Sequence, residues 1–269
     1  MEIYFLGTAS GLPTPRRFSQ TIVFNADGEL HVLDVADGAS SLLCRHGLDH
    51  KAVRSVVISH MHGDHHGGLI QLLKTMMHHG RKAPLLIYMP GEGIAAYQRI
   101  LEACYLIPQW LGYDIEWRPI CDAEPIELSP TVTVRAIAND HLHPFRVRAQ
   151  SLHDVPGTWR FESYSFLLGT KGLTLAYSGN LNRSLFEMQP YATGVDVLIC
   201  ELAHLEPADT RQALEALRPR LAIFTHFNPR WDDGRVQALQ EPLQGIDVRL
   251  AEDGDVYDLN LLLSQPMGA

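Results

Sequence analysis

A largely apolar run at residues 53–58 ends against Ser59-His60-Met61-His62-Gly63-Asp64-His65-His66-Gly67-Gly68. No other stretch constrains the chain as much. The run reads as a buried strand, and the strand must deliver four imidazoles and a carboxylate to one place at its end. His60 and His62 lie two apart, so in extended backbone they point the same way. Asp64 and His65 follow on a turn containing Gly63 and can face a second point. Imidazole and carboxylate together suit zinc, iron or manganese. A solvated turn does not need so many ligand types in six positions.

The rest of the chain supplies the frame. Residues 2–6 read as a strand stopping at Gly7-Thr8-Ala9-Ser10-Gly11. Residues 21–24 and 30–33 form a hairpin around Asp27-Gly28, and 163–168 and 173–178 form another around Lys171-Gly172. Further strands are expected at 85–89, 115–119, 124–128, 131–138, 195–200 and 221–225. Residues 248–250 and 256–259 are expected to close the chain around Asp253-Gly254. Helices are expected at 40–46, 67–79, 93–107, 207–217 and 233–243. This order suggests two sheets packed face to face with helices outside, in a single domain over 1–269. Residues 141–160 follow neither period and read as a long loop, carrying Arg146, Arg148, Trp159 and Arg160. Such a loop suits an anion beside an apolar group, and it is expected to lie over the cleft and select the substrate.

Composition limits the functions open to the chain. With 46% hydrophobic residues in 269, it can bury a core without disulfides. Cys44, Cys104, Cys121 and Cys200 are widely spaced, and the default is buried thiols in a reducing compartment. No apolar run approaches a membrane span, and no leader precedes the first strand, so a soluble cytoplasmic protein is expected. A net charge of −9 argues against a surface built to follow a nucleic-acid backbone. Tyr105, Leu106 and Trp110 read as core or as the surface of a homodimer.

His60, His62, Asp64 and His65 complete a His-x-His-x-Asp-His pattern, by which the chain resembles the metallo-β-lactamase superfamily. Phe5-Leu6-Gly7-Thr8-Ala9-Ser10-Gly11-Leu12-Pro13-Thr14-Pro15-Arg16-Arg17 and Leu33-Asp34-Val35-Ala36-Asp37-Gly38 resemble its ribonuclease Z-like branch. The resemblance implies an α+β fold, the four-layer αββα sandwich, with one or two metal ions at the sheet edge. Zinc is the expected ion, with manganese or iron as alternatives. It places the third histidine of the first site at His141, with His143 as competitor. It places the bridging aspartate position at Asn180, in Tyr177-Ser178-Gly179-Asn180, and the last ligand at Glu252, in Ala251-Glu252-Asp253-Gly254. A neutral amide is a poor bridge between two cations, so one tight ion, or two of unequal affinity, is expected.

The resemblance also lands a proton-transfer pair on Glu201, in Cys200-Glu201-Leu202-Ala203-His204, and His226, in Thr225-His226-Phe227-Asn228-Pro229-Arg230. A carboxylate beside an imidazole fixes its tautomer and lifts its pKa. Asp64 is counted with Glu201 and His226 among the catalytic residues, His204 is a spare, and Asp34 is a candidate to orient a ligand. The expected activity is metal-dependent hydrolysis of a small phosphodiester or other anionic ester. The alternatives are transfer-RNA 3′ processing and a non-catalytic, ligand-binding relative.

Overall fold

The computed structural model describes residues 1–122, 124–170, 172–229, 239, 241 and 243–264. The helix expected at 233–243 falls almost wholly outside them, as does Arg230. The chain divides into two compact units, 1–120 with 252–262, and 121–251 with 263–269.

In the first unit, β1 (Glu2–Gly7), β2 (Thr21–Ala26) and β3 (Glu29–Val35) run antiparallel. β4 (Val53–Val57), β5 (Leu85–Met89) and β6 (Ile115–Pro119) then add in parallel. Parallel neighbours need crossovers, which α1 (Ala39–Arg45), α2 (Gly63–His66), α3 (Leu69–His78), α4 (Gly91–Ala103) and α5 (Pro108–Leu111) provide. Leu69, Leu72, Leu73 and Met76 recur at helical spacing along α3, and all four are buried with Val32, Val56 and Ile87 of the sheet. The helix expected over 93–107 ends early. Tyr105 takes a left-handed conformation at φ 60, and Pro108 opens α5 at a position where no backbone N–H is required.

The second unit holds β7 (Pro125–Ser129), β8 (Val132–Ala138), β9 (Tyr164–Thr170) and β10 (Leu173–Tyr177), all antiparallel. Beside them run α6 (His143–Ala149), the single turn α7 (Gln189–Ala192) and α8 (Pro207–Leu217). β11 (Val197–Glu201), β12 (Leu221–Thr225) and β13 (Asp247–Leu250) extend the sheet in parallel. Both β11 and β12 are buried at every position, as strands covered on both faces are.

The chain then leaves this sheet. β14 (Asp255–Asp258) pairs antiparallel with β1, and α9 (Leu259–Ser264) follows. The strands around Asp253-Gly254 do not pair with each other. They edge two different seven-stranded sheets, ordered β14-β1-β2-β3-β4-β5-β6 and β13-β12-β11-β10-β9-β8-β7. Asp253 ties the two ends of the 8–18 loop, its carboxylate accepting Thr8 N–H at 2.8 Å and Phe18 N–H at 2.5 Å.

Two further expectations change. The segment 141–160 is not loop throughout, because Pro144 sits in the first turn of α6 and Arg146 N–H bonds Leu142 O at 3.0 Å. Phe145, Val147, Leu152 and Trp159 are exposed there. Only Cys200 is a buried thiol, whereas Cys44, Cys104 and Cys121 lie at the surface. No helix among the described residues is long and apolar enough to cross a membrane.

Candidate metal centre

In the first unit the histidine run leaves the end of β4, where Ile58 N–H still bonds Tyr88 O at 2.9 Å. His60 is fully buried. Its Nε2 lies 3.0 Å from Nδ1 of His62, which precedes α2 in extended conformation at ψ 140. Two imidazole nitrogens bound to one tetrahedral zinc at 2.0–2.1 Å would stand roughly 3.3 Å apart. The pair is thus set close to the spacing of two ligands of a common ion.

His65 is held differently. Asp34 Oδ2 lies 2.8 Å from its Nδ1, and Asp64 Oδ2 lies 3.4 Å from its Nε2. Asp34 also accepts Ser59 N–H at 2.8 Å and Ser59 Oγ–H at 3.0 Å, so one buried carboxylate ties β3 to the start of the histidine run. It does so from a left-handed backbone at φ 55, a conformation that Asp tolerates better than most residues. Burial opposes charge on His65, but the Asp34 and Asp64 carboxylates outweigh it and push its pKa up to about 10. Two carboxylates flanking one imidazole call for positive charge between them, whether a proton or a metal ion. His66 braces the turn, with Nδ1 on the Tyr97 hydroxyl and Nε2 at 3.1 Å from Met61 O. Gly68 is required by space, since a Cβ there would stand 1.9 Å from Ala36 O. The loop after β1 also reaches this place, because a Cβ on Gly11 would lie 3.3 Å from Asp64 Oδ2.

The second unit gathers its own polar ends. His141 follows β8 and is buried, with Nδ1 at 3.1 Å from Leu181 O. If Nδ1–H donates there, Nε2 is left as the ligand atom, the usual way an outer partner sets the tautomer. His143 instead begins α6 at the surface, bonded to Arg146 at 2.9 Å. Asn180 is buried after β10, and its Oδ1 has no hydrogen-bond partner among the described residues. A buried amide oxygen left so is costly, and it suits a cation.

Glu201 ends β11 fully enclosed. Its Oε1 lies 3.1 Å from His204 Nδ1 and accepts Leu181 N–H at 3.2 Å, while Oε2 accepts His204 N–H at 3.0 Å. The partner of Glu201 is therefore His204, three residues on, and not the expected His226. His226 directly follows β12, buried at φ 58, with its ring stacked 6.1 Å from that of His204. The His204 ring also stands 4.8 Å from that of His141. The sequence carried this signal as Glu-x-x-His directly after a buried strand.

Glu252 is engaged elsewhere than expected. Its carboxylate is 64% exposed and accepts Arg17 Nη2 at 2.6 Å. Arg146, Arg148 and Arg160 lie exposed along 141–160.

Residues 32–227 match the family model described as the beta-lactamase superfamily domain. Ribonuclease Z of Pyrococcus abyssi is 37% identical over 110 residues, 41% of this chain and 36% of that protein. Ribonuclease Z of Methanosarcina acetivorans is 32% identical over 54% of this chain and 46% of that protein. The matched stretches thus span less than half the length of these two relatives. Ribonuclease Z of Shouchella clausii is 26% identical over 96% of this chain and 97% of that protein. Among solved structures, the short form of human tRNase Z superposes with a TM-score of 0.73 at 21% identity, covering 96% of this chain and 99% of that one. The metallo-beta-lactamase fold protein YhfI of Bacillus subtilis gives 0.73 at 16% identity, with the same coverage. These likenesses show the fold, and it is the α+β one that the histidine pattern implied.

Proposed function

From the chain's membership of the metallo-β-lactamase superfamily, in its ribonuclease Z-like branch, we propose that it is a metal-dependent hydrolase cleaving a small phosphodiester or another anionic ester. His60, His62 and His141 hold the first ion, three neutral imidazoles that suit zinc and also accept manganese or iron. Asp64 and His65 supply donors to the second. Glu252 is not counted with them in this reading, because it already binds a guanidinium at the surface. Asn180 stands at the bridging position with a buried amide oxygen, so the second ion is the weaker of the two. The observation that carries the reading is the pair of facing nitrogens of His60 and His62 at the end of a buried strand.

When bound, the ions supply an activated water and positive charge for the developing transition state. The chain's own residues do the rest. Asp34 fixes the ring of His65 and keeps the second donor set in register. Glu201 orients His204, whose side chain is 37% exposed and therefore reachable by a leaving group. Protonated at Nε2 with Nδ1–H on the carboxylate, His204 delivers a proton to the departing oxygen. Residues 141–160, with three exposed arginines, discriminate for an anionic substrate.

A second reading has its own observation. Relatives matched over nearly the whole chain are ribonucleases Z, which favours 3′ processing of transfer-RNA precursors. One experiment separates the two. The zinc- or manganese-loaded protein is given a nitrophenyl phosphodiester and a precursor transfer RNA, beside a His60→Ala variant. Turnover of the diester, lost in the variant, supports the main reading. Faster cleavage of the precursor supports the second. No turnover of either substrate by the loaded protein refutes both.

A further inference from the structure

β6 is the last strand of its sheet, and among the described residues no strand pairs with its outer edge. Leu85 N–H bonds Asp114 O at 2.9 Å, and Ile120 N–H bonds Met89 O at 3.0 Å. Backbone groups alternate in direction along a strand, so Asp114, Glu116, Arg118 and Ile120 turn theirs towards β5. Ile115 and Trp117 turn their N–H and C=O groups the other way. Pro119 has no N–H to offer, so the open stretch is short.

A cavity of about 380 Å³ lies along the same strand. Leu101, Leu106, Ile115 and Trp117 give it apolar walls, and Glu102 and Asp114 add two carboxylates. It has room for one aromatic side chain. Ile115 and Trp117 lie two apart, so their side chains share the face on which it opens. Glu102 and Asp114 are exposed, and neither forms an ion pair among the described residues. Lys82 instead approaches the turn at Gly112, where a Cβ would stand 3.4 Å from its Nζ. Leu106 belongs to the core of the first unit, but Tyr105 and Trp110 in the same segment are 74% and 61% exposed.

We propose that this rim is a docking site for an extended, basic segment of a partner protein, which adds antiparallel to β6 and seats one apolar side chain in the cavity. The outward N–H and C=O groups of Ile115 and Trp117 call for an extended chain, which meets them at their own spacing. Directly opposite residues of an antiparallel pair put their side chains on one face, so every second residue of the partner is turned to the cavity. Glu102 and Asp114 then meet lysine or arginine at the neighbouring positions of that face. A second copy of this chain is a poor occupant, because it brings the same carboxylates and a net charge of −9 against its like. The proposal does not depend on what the metal centre hydrolyses.

The test titrates the full chain by calorimetry with a capped heptapeptide, Ser-Lys-Thr-Phe-Thr-Lys-Ser, whose Phe and two Lys share a face. Replacing both Lys by Glu is expected to weaken binding about ten-fold or more. A methyl on the Phe nitrogen removes a bond to β6 and is expected to weaken binding about ten-fold. A methyl on the nitrogen of the Thr that follows points away from β6 and should leave affinity within about two-fold. Gln98 lines the cavity from an exposed position on α4. Gln98→Phe therefore fills the cavity without touching the core and is expected to weaken binding about ten-fold, as loss of a seated anchor does. Glu102→Gln should weaken it about three-fold. No binding of the parent peptide overturns the proposal, as does equal affinity of the two methylated peptides or of the Lys and Glu peptides. A wild-type dimer in ultracentrifugation that Gln98→Phe breaks also overturns it, and gives the rim to a second copy.

Discussion

Acidification should cost this protein stability through His31, a residue outside the metal centre. His31 lies in the middle of β3, three residues before Asp34, and is 2% exposed. Its Nδ1 lies 2.8 Å from Ser55 Oγ, and its Nε2 has no hydrogen-bond partner among the described residues. Burial, with the nearby Arg54 charge adding to it, lowers its pKa from 6.5 to about 4. The folded protein therefore holds His31 neutral, while the unfolded chain takes up the proton below pH 6.5. Stability from this group is fully present above that value and is lost as the pH falls towards 4. At 1.36 kcal/mol per pH unit the whole gap is worth about 3 kcal/mol, of which about 2 kcal/mol is gone by pH 5. The measurement is urea unfolding of wild type and His31→Gln at pH 7 and pH 5. Gln cannot titrate and can still bond Ser55. Burial also lowers the pKa of His50 and His66, but both proteins carry these groups and their contribution cancels. Wild type is expected to lose about 2 kcal/mol more than the variant between the two pH values. Equal losses would show that His31 is not charged at a cost in the fold, and the argument from its burial would fail.

Gly68→Ala places a methyl group 1.9 Å from the Ala36 carbonyl oxygen, a backbone atom that cannot step aside, and should cost about 2–4 kcal/mol in thermal or urea unfolding; an unshifted melting temperature would contradict the contact. Asp34→Asn keeps the shape but removes the charge that steadies His65. It is expected to weaken metal binding about 10–100-fold, read by competition with a chelating dye, with the larger loss in the second ion. Asn180→Asp restores a carboxylate at the bridging position and should raise the bound metal towards two equivalents by elemental analysis; a stoichiometry unchanged from wild type would show that Asn180 does not face an ion.

Local signals in the sequence were legible where a strand or helix is decided by its own residues. The apolar run before His60, the four-position period of α3 and the turn pair Asp27-Gly28 each point to the element found. The reading ran short where a partner distant in sequence decides. The two strands around Asp253-Gly254 are neighbours in sequence, yet they edge different sheets, one on β12 and one on β1. Pro144 looks like a breaker, yet in a first turn it starts α6. Cys44 lies in the last turn of α1, Cys104 just after α4 and Cys121 shortly after β6, where each is exposed. In the site, the ligand run was readable because its spacing is short. The pairing of Glu201 was not, because a resemblance to His226 outweighed a nearer candidate, His204, whose Nδ1 the fold brings to 3.1 Å. Glu252 misled for a related reason: a carboxylate's partner is set by whatever charge the fold brings to it, and here that charge is Arg17.

The clamp at Asp253 has a temporal side. The bond from Thr8 to Asp253 joins residues 245 positions apart, and β14 cannot pair with β1 before both exist. During synthesis, every element from β1 to β13 emerges before Asp253 can reinforce the neck of the 8–18 loop, which has a local bond of its own from Ala9 N–H to Phe18 O. A nascent chain thus displays the histidine run of β4 long before Asp253 fastens the loop beside it. Bringing together residues so far apart carries a larger closure cost than local pairing, so the tie from Asp253 is expected to follow the local strands and helices beside it.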